Sequence, residues 1–265
     1  MLQEDMNILV PEKLRELENE HNIIILHAAE SGSRAWGFFS PDSDFDVRFI
    51  YMHKNFHEYL YLNRTRDVIE LPVNDTWDVS GWDIDKALRL LYKSNPALYE
   101  WLNSPVCYIK TEFADRIKPL LDEYFVPERM IYHYLNTALN NIKKFMHAER
   151  VIAKKYFYML RPVLACFWVM EYKAVPPVLF SELCDKLLPG ELRSPLDDLL
   201  NMKINMPERN EIKHVLEIEN FLNESVEVIH DYLEKLPEDK NKKHSWDDLN
   251  QFFISEIEKF AFKSK

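Results

Sequence analysis

The sequence predicts an α+β fold: an N-terminal mixed, mainly antiparallel sheet with flanking helices, followed by an all-helical C-terminal part. Three observations carry this. Strand-like apolar and alternating runs crowd the first 110 residues, and after about residue 111 helical patterning takes over almost completely. The third is the stretch from Gly32 to Ile50, where a small-residue turn feeds the alternating run Asp44, Phe45, Asp46, Val47, Arg48, Phe49. Successive side chains of a strand point to opposite faces, so Asp44, Asp46 and Arg48 share one face and Phe45, Val47 and Phe49 the other.

Taken in order, Glu12 to Asn22 reads as an amphipathic helix with Leu14 and Leu17 on its apolar side. Ile23 to His27 is a buried strand. Ser31 to Ser33 caps a short helix through Trp36, and Pro41-Asp42-Ser43 turns the chain into a second strand, Asp44 to Tyr51. Residues 53 to 64 show no clean period. Asp67 to Val73 and Thr76 to Trp82 read as strands, the latter with Asp78, Ser80 and Trp82 on one face. Asp83 is placed to cap a helix carrying Leu88, Leu91 and Tyr92. Asn95-Pro96 interrupts that helix before a further turn to Leu102, and Val106 to Ile109 closes the strand set.

From there the expected helices are 127–147, 149–172, 180–187, 192–202, 208–236 and 246–262. Pro176-Pro177, Pro189-Gly190 and Pro207 punctuate them, and Lys240 to Lys243 reads as a solvated loop. The division expected is therefore 1–125 for a catalytic domain and 126–265 for a helical domain closing a cleft over it.

Composition narrows the function. A net charge of −11 disfavours non-specific coating of nucleic acid, which needs a broad basic surface. Cys107, Cys166 and Cys184 are too far apart for a CxxC site and odd in number, so they are expected as buried small apolar residues. The beginning of the chain lacks a basic n-region with an apolar h-region, and no run approaches the roughly 20 apolar residues of a membrane span; a cytoplasmic protein is expected. The nine His show no HExxH or paired spacing, and Ser31 and Ser33 lack a nucleophile context. Tyr156, Phe157, Phe167 and Trp168 read as core.

The acidic run is where chemistry is expected. Two carboxylates about 7 Å apart along a strand repel unless a cation lies between them, and a divalent metal is the usual one. The chain holds only 4 Gly against about 19 at average usage. Gly32 and Gly37 fall in this stretch, and Gly81 stands beside Asp78, which marks positions of sharp turns or close approach. A Gly-Ser turn, then Asp44 and Asp46, then a third acid on a neighbouring strand suits nucleotidyl transfer. There an acceptor hydroxyl attacks the α-phosphorus of a nucleoside triphosphate while two Mg²⁺ ions, or Mn²⁺ in their place, stabilise attacking and leaving oxygens.

The third acid is Asp78, by strand parity with Ser80 and Trp82, or Asp83, which is also needed as a helix cap. Its expected role is to hold the ion nearest the nucleophile and help deprotonate the hydroxyl. Gly32 lets the backbone approach phosphates, and Ser33 offers a hydroxyl and an N–H at a helix start. A triphosphate with three carboxylates outweighs two divalent cations by about three charges, so further cations are wanted. Arg48, on the same face, is the first candidate. Arg34 either contacts phosphate or pairs with an acid. Lys154 and Arg161, seven residues apart, share a helix stripe that Lys143, His147 and Arg150 join if the helix runs unbroken, with Pro162 turning Arg161 inward. Haloacid dehalogenase-like phosphatases and many glycosyltransferases put Asp-x-Asp after an apolar strand, whereas here a turn precedes it and the apolar strand follows.

Gly32-Ser33 with Asp44 and Asp46 resembles the DNA polymerase β-type nucleotidyltransferase superfamily. The fuller string from Gly32 to Tyr51 is similar to one branch, nucleotidyltransferases associated with RNA ligases and RNA repair. Asp78-Val79-Ser80-Gly81-Trp82-Asp83-Ile84 and the segment Lys93 to Leu102 continue the likeness. It covers residues 23 to about 110, and less specifically Lys154 to Pro162. The resemblance implies a nucleotidyltransferase fold, Mg²⁺ held by Asp44, Asp46 and Asp78, an NTP substrate, and an acceptor that is an RNA end, a small molecule or a protein. It favours Asp78 over Asp83. The competing expectations are a nucleotide-binding regulator without turnover and an antitoxin-like protein that modifies or masks a partner.

Overall fold

Why the first helix begins well before Glu12 is legible in its buried side chains. Met6, Val10, Leu14 and Leu17 recur at helical spacing and are all at most 1% exposed. In the computed structural model, which describes residues 3–40, 42–63, 66–72, 77–205, 211–236 and 244–261, this helix is α1, Gln3–Glu20. Pro11 sits inside it, and Pro at that place in the sequence reads as a helix start, which is why only the second half was legible.

Strands β1 (Ile23–Glu30), β2 (Phe45–His53), β3 (Val68–Glu70), β4 (Trp77–Asp83) and β5 (Cys107–Lys110) form one sheet among the described residues, ordered β3-β4-β2-β1-β5. Only β2 and β4 run parallel within it; the other neighbours are antiparallel, so the sheet is mixed and mainly antiparallel as expected. A register shift in β1 between Ile25 and His27 turns Ala28 to the same side as Ile25. One face of the sheet buries Ile23, Ile25, Ala28, Phe45, Val47, Phe49 and Val79 against α1. The other face meets α3 (Ile84–Tyr92), α4 (Pro96–Leu102) and α5 (Glu112–Glu123).

Local chemistry sets the ends. Asp83 caps α3 by accepting from the Asp85 N–H at 3.1 Å, Asn95 caps α4 from Ala97 N–H at 3.0 Å, and Thr111 caps α5. Between β2 and β3 a 3₁₀ turn spans Phe56–Leu60, capped by Asn55, where no element was expected. Gly81 lies in the middle of β4, where a Cβ would fall 2.1 Å from the Phe49 ring. Its missing side chain is what lets that ring fill the core.

Two compact units divide the chain. One comprises Met1–Gly32, Asp44–Phe125 and Lys243–Lys265; the other comprises Ser33–Ser43 and Val126–Lys242. The chain after residue 125 is thus shared between them. The last helix, α11 (Asp247–Ala261), packs in the sheet unit, where Arg116 pairs with Glu256 at 2.6 Å and Phe253 meets the Tyr59 ring edge-on.

The second unit is built on α6 (Pro127–Phe145) and α7 (Ala153–Tyr172), with α8 (Phe180–Leu187), α9 (Arg193–Asn205) and α10 (Leu216–Glu234) around them. The short helix α2, Gly32–Trp36, leads from one unit into the other. Phe38 stacks on Phe157 at 4.9 Å, and Tyr156 and Phe157 are fully buried, whereas Phe167 and Trp168 are half-buried. Residues 146–150 are turns and bends, followed by β6 (Val151–Ile152) paired with β7 (Glu211–Ile212). The unbroken helix that would carry Lys143, His147 and Arg150 on the stripe of Lys154 and Arg161 is therefore interrupted. The strand at 211–212 likewise replaces the start of the helix expected from 208.

Cysteine burial also departs from expectation at one position: Cys166 and Cys184 are buried, but Cys107 is exposed at the sheet edge. Burial raises the Cys166 thiol pKa and pushes that of Cys184 up to about 12. Among the described residues no helix is long and apolar enough to cross a membrane. Met1, Pro41, Val73, Thr76, Pro207, the 208–210 part of an expected helix, the Lys240–Lys243 loop and Phe262 lie outside the described residues.

Candidate active site

The site starts from strand register. Asp46 on β2 pairs with Asp78 on β4 in parallel alignment, so the two side chains stand next to each other on one face. Adjacent strands lie about 4.8 Å apart, too close for two bare carboxylates. Arg48, two residues on and on the same face, resolves the repulsion. Its Nη2 donates to Asp46 Oδ1 at 3.1 Å and to Asp78 Oδ2 at 2.7 Å, and its Nη1 donates to the Asp78 carbonyl at 2.8 Å. The three side chains remain accessible, at 28%, 35% and 17% exposure for Asp46, Asp78 and Arg48. Charge is held here at the surface, where a ligand can reach it.

Asp46 is fixed from behind. Its N–H donates to Glu30 Oε1 at 2.6 Å, and its carbonyl accepts from the Ser31 N–H at 2.8 Å. Glu30 is 1% exposed, and its other oxygen accepts a very short hydrogen bond from the Tyr108 hydroxyl. Gly32 has φ +58°, the left-handed region, and a Cβ there would stand 2.1 Å from Asp46 Oδ2. The glycine thus admits the Asp46 carboxylate against the backbone.

Asp44 is exposed and precedes β2 by one residue. Ser40 and Ser43 tie the turn ahead of it, with the Ser40 N–H donating to Ser43 Oγ at 3.0 Å. Asp83 stands on the opposite face from Asp78 by strand parity and is fully buried. Besides capping α3, it accepts from the Tyr59 hydroxyl at 3.2 Å and lies 3.3 Å from His53 Nε2. It is occupied as a structural anchor.

Four further candidates belong to the helical unit. Ser33 is buried in α2, and its carbonyl accepts from Gly37 and Phe38 N–H groups. Arg34 is buried and donates to the Ser43 carbonyl at 2.8 Å, with Phe39 stacked 4.8 Å from its guanidinium carbon. Arg161 is 2% exposed, donates to the Val178 carbonyl at 3.3 Å and lies 4.5 Å over the Trp36 ring. Lys154 is half-buried in the first turn of α7.

Two residues escaped sequence reasoning. Glu30 ends an apolar strand directly before the turn, a buried acid whose only signal was its position. Tyr108 came within reach of it through the β1–β5 pairing of Ala29 with Cys107, which no periodicity reveals.

Among the described residues no three His, Cys, Asp or Glu side chains gather closely enough to hold a metal ion. The paired carboxylates of Asp46 and Asp78 nonetheless fit Mg²⁺ by chemistry. That ion takes hard oxygen donors, and it is commonly held by one or two carboxylates together with substrate phosphates and water.

Three likenesses to known proteins are found. A family model described as RNA repair pathway DNA polymerase beta family matches residues 6–255. An uncharacterized protein of Bacillus subtilis (strain 168), YcgL, is 39% identical over 249 residues, covering 93% of this chain and 95% of that protein. The crystal structure of a nucleotidyltransferase-like protein from Exiguobacterium sibiricum 255-15 aligns over 86% of this chain and 74% of its own, at 12% identity and a TM-score of 0.32.

Proposed function

The chain belongs to the RNA repair pathway DNA polymerase β family, and from that premise we propose that it transfers a nucleoside monophosphate from an NTP to an acceptor hydroxyl and releases pyrophosphate. The observation that carries the reading is the in-register pair Asp46 and Asp78, bridged by Arg48 on an accessible strand face.

In this reaction the acceptor oxygen bonds to the α-phosphorus and the bond from that phosphorus to the bridging oxygen breaks. The electron pair leaves with pyrophosphate. Asp78 takes up the hydroxyl proton, and Asp46, its backbone held by Glu30 and Ser31, keeps its carboxylate beside that of Asp78. Asp46 and Asp78 would hold Mg²⁺ together with substrate phosphate, with Asp44 as the third donor the motif implies, and the ion when bound supplies charge stabilisation to the attacking and leaving oxygens. Arg48, which bridges Asp46 and Asp78, would then be available to pair with phosphate oxygens. Gly32, Ser33, Arg34, Lys154 and Arg161 are the remaining residues assigned to the nucleotide. The acceptor class we favour is an RNA end, in keeping with the family's description.

The test is pyrophosphate release with Mg²⁺ and each NTP in turn, with and without single-stranded RNA, alongside the Asp46→Asn, Asp78→Asn double variant. Release that depends on RNA and disappears in the variant is the expected result. Release that persists in the variant, or none with any NTP and acceptor, would remove the proposal.

A further inference from the structure

At the other end of β4 lies a cavity of about 320 Å³, within the range of about 300–1,000 Å³ found for small-molecule sites. Asp78 is the second residue of this strand and Asp83 its last, so about 17 Å of strand, at about 3.3 Å per residue, separates the carboxylate pair from the end beside which the cavity lies. It is not part of the reaction centre.

The walls are aromatic and charged. Tyr59 is pinned: its hydroxyl accepts from the His53 N–H at 3.0 Å and donates to Asp83, while its ring meets Phe253 of α11 at 5.2 Å. Tyr61, 52% exposed, presents an open ring. Asp67 pairs with Lys86 at 3.0 Å, and Asp85 pairs with Arg89 at 3.1 Å. Arg66 lines the same cavity and meets no carboxylate at ion-pair distance among the described residues. A smaller cavity of about 110 Å³ shares Asp85, Arg89 and Phe253 and continues to Trp246, which stacks on Tyr92 at 3.9 Å.

We propose that the larger cavity is a second nucleotide-binding site, taking one nucleotide unit with its base against Tyr61 and its phosphate on Arg66. Aromatic rings accept any base face, and a guanidinium forks onto phosphate oxygens. Two carboxylates already balanced by cations can still accept from base amino groups or ribose hydroxyls. Among the described lining residues the one uncompensated guanidinium is that of Arg66, which suits a single phosphate. The nucleotide comes either free, as a nucleoside monophosphate, or as one residue of single-stranded RNA whose neighbour enters the smaller cavity. This site stands independently of the reading of Asp46 and Asp78.

The experiment titrates AMP, a single-stranded oligoadenylate and inorganic phosphate into the full chain without divalent metal, by calorimetry. It uses the unsubstituted protein and the Arg66→Ala, Tyr61→Ala, Arg66→Lys and Tyr61→Phe variants. Both positions line an open cavity, and circular dichroism checks each fold. Binding of AMP or the oligonucleotide weakens at least about tenfold in either alanine variant and persists in Tyr61→Phe, with a smaller loss in Arg66→Lys. Preference for the oligonucleotide identifies RNA as the source; equal or better binding of AMP identifies the free nucleotide. The proposal falls if neither binds, if the alanine variants bind as well as the unsubstituted chain, or if phosphate matches AMP with no effect of Tyr61→Ala. Pyrophosphate release is measured separately, so the two readings fail independently.

Discussion

In the sheet unit Arg48 reaches two carboxylates and stays open to water, whereas in the helical unit Arg161 is buried, donating to the Val178 carbonyl beneath the face of Trp36. The same guanidinium meets different demands. Around Arg161 a carbonyl dipole and an aromatic quadrupole lie against the buried charge. Around Arg48 two like charges on neighbouring strands are bridged by a cation that solvent and ligands can reach. A surface ion pair contributes little to stability, so a triad of this kind is cheap to rearrange, which is what a reaction centre needs.

The comparison can be broken at its acids first. Asp46→Asn should lower pyrophosphate release by at least about 10³-fold, since it removes charge stabilisation needed in the transition state. Its urea midpoint should hardly move. A variant that unfolds readily and keeps its rate per folded molecule would make Asp46 a structural residue.

Gly32→Ala comes next. The new Cβ meets Asp46 Oδ2 and the backbone is already at φ +58°, so the carboxylate must shift. Displacement on the scale of 1 Å costs about 10²-fold in rate, with little change in the KM for NTP. Retained kcat would show that Asp46 need not occupy this position.

Glu30→Gln should act more mildly, because glutamine can still accept from the Asp46 N–H. We expect kcat to fall about tenfold at constant KM; a change in KM alone would separate Glu30 from the placement of Asp46.

Gly81→Ala sharpens the contrast from the opposite face of the sheet. Its Cβ would overlap the Phe49 ring, an overpacking cost of about 1–3 kcal/mol. The urea midpoint should drop while the rate per folded molecule is kept. A variant with unchanged stability and lost activity would overturn the division between the two sheet faces.

The smallest expected effect is a pH slope. His27 is 3% exposed, and burial holds its pKa below the ordinary 6.5, with the Trp101 carbonyl opposing that shift and Lys110 adding to it. Well above pH 6.5 the ring is neutral in folded and unfolded chains alike. As the pH falls below that value the unfolded chain takes the proton first, so stability declines until the folded ring titrates too. Urea midpoints should therefore fall from pH 6.5 downward, and His27→Gln should flatten part of that slope. An equally steep variant would assign the slope to other groups.

Much of this was written in the chain order. Alternation put Phe45, Val47 and Phe49 in the core and Asp46 and Arg48 on the other face, because side-chain parity is a local property of any strand. The same parity separated Asp78 from Asp83, and the capping role of Asp83 followed from its place before a helix. Local pattern also marked Gly32 and Gly81 as special positions, without saying what fills the space beside each.

Tertiary structure alone decided the rest. That Asp46 lies opposite Asp78, and that Arg48 joins them, follows from a parallel pairing between strands separated by a 3₁₀ turn and β3, and register is a relation between segments that neither contains by itself. Glu30 and Tyr108 met through β5, and the last helix joined the first unit although more than a hundred residues lie between it and α5. Periodicity tells a residue which way to face. Only the packed chain, balancing burial against the pairing of every strand edge and charge, determines what it faces.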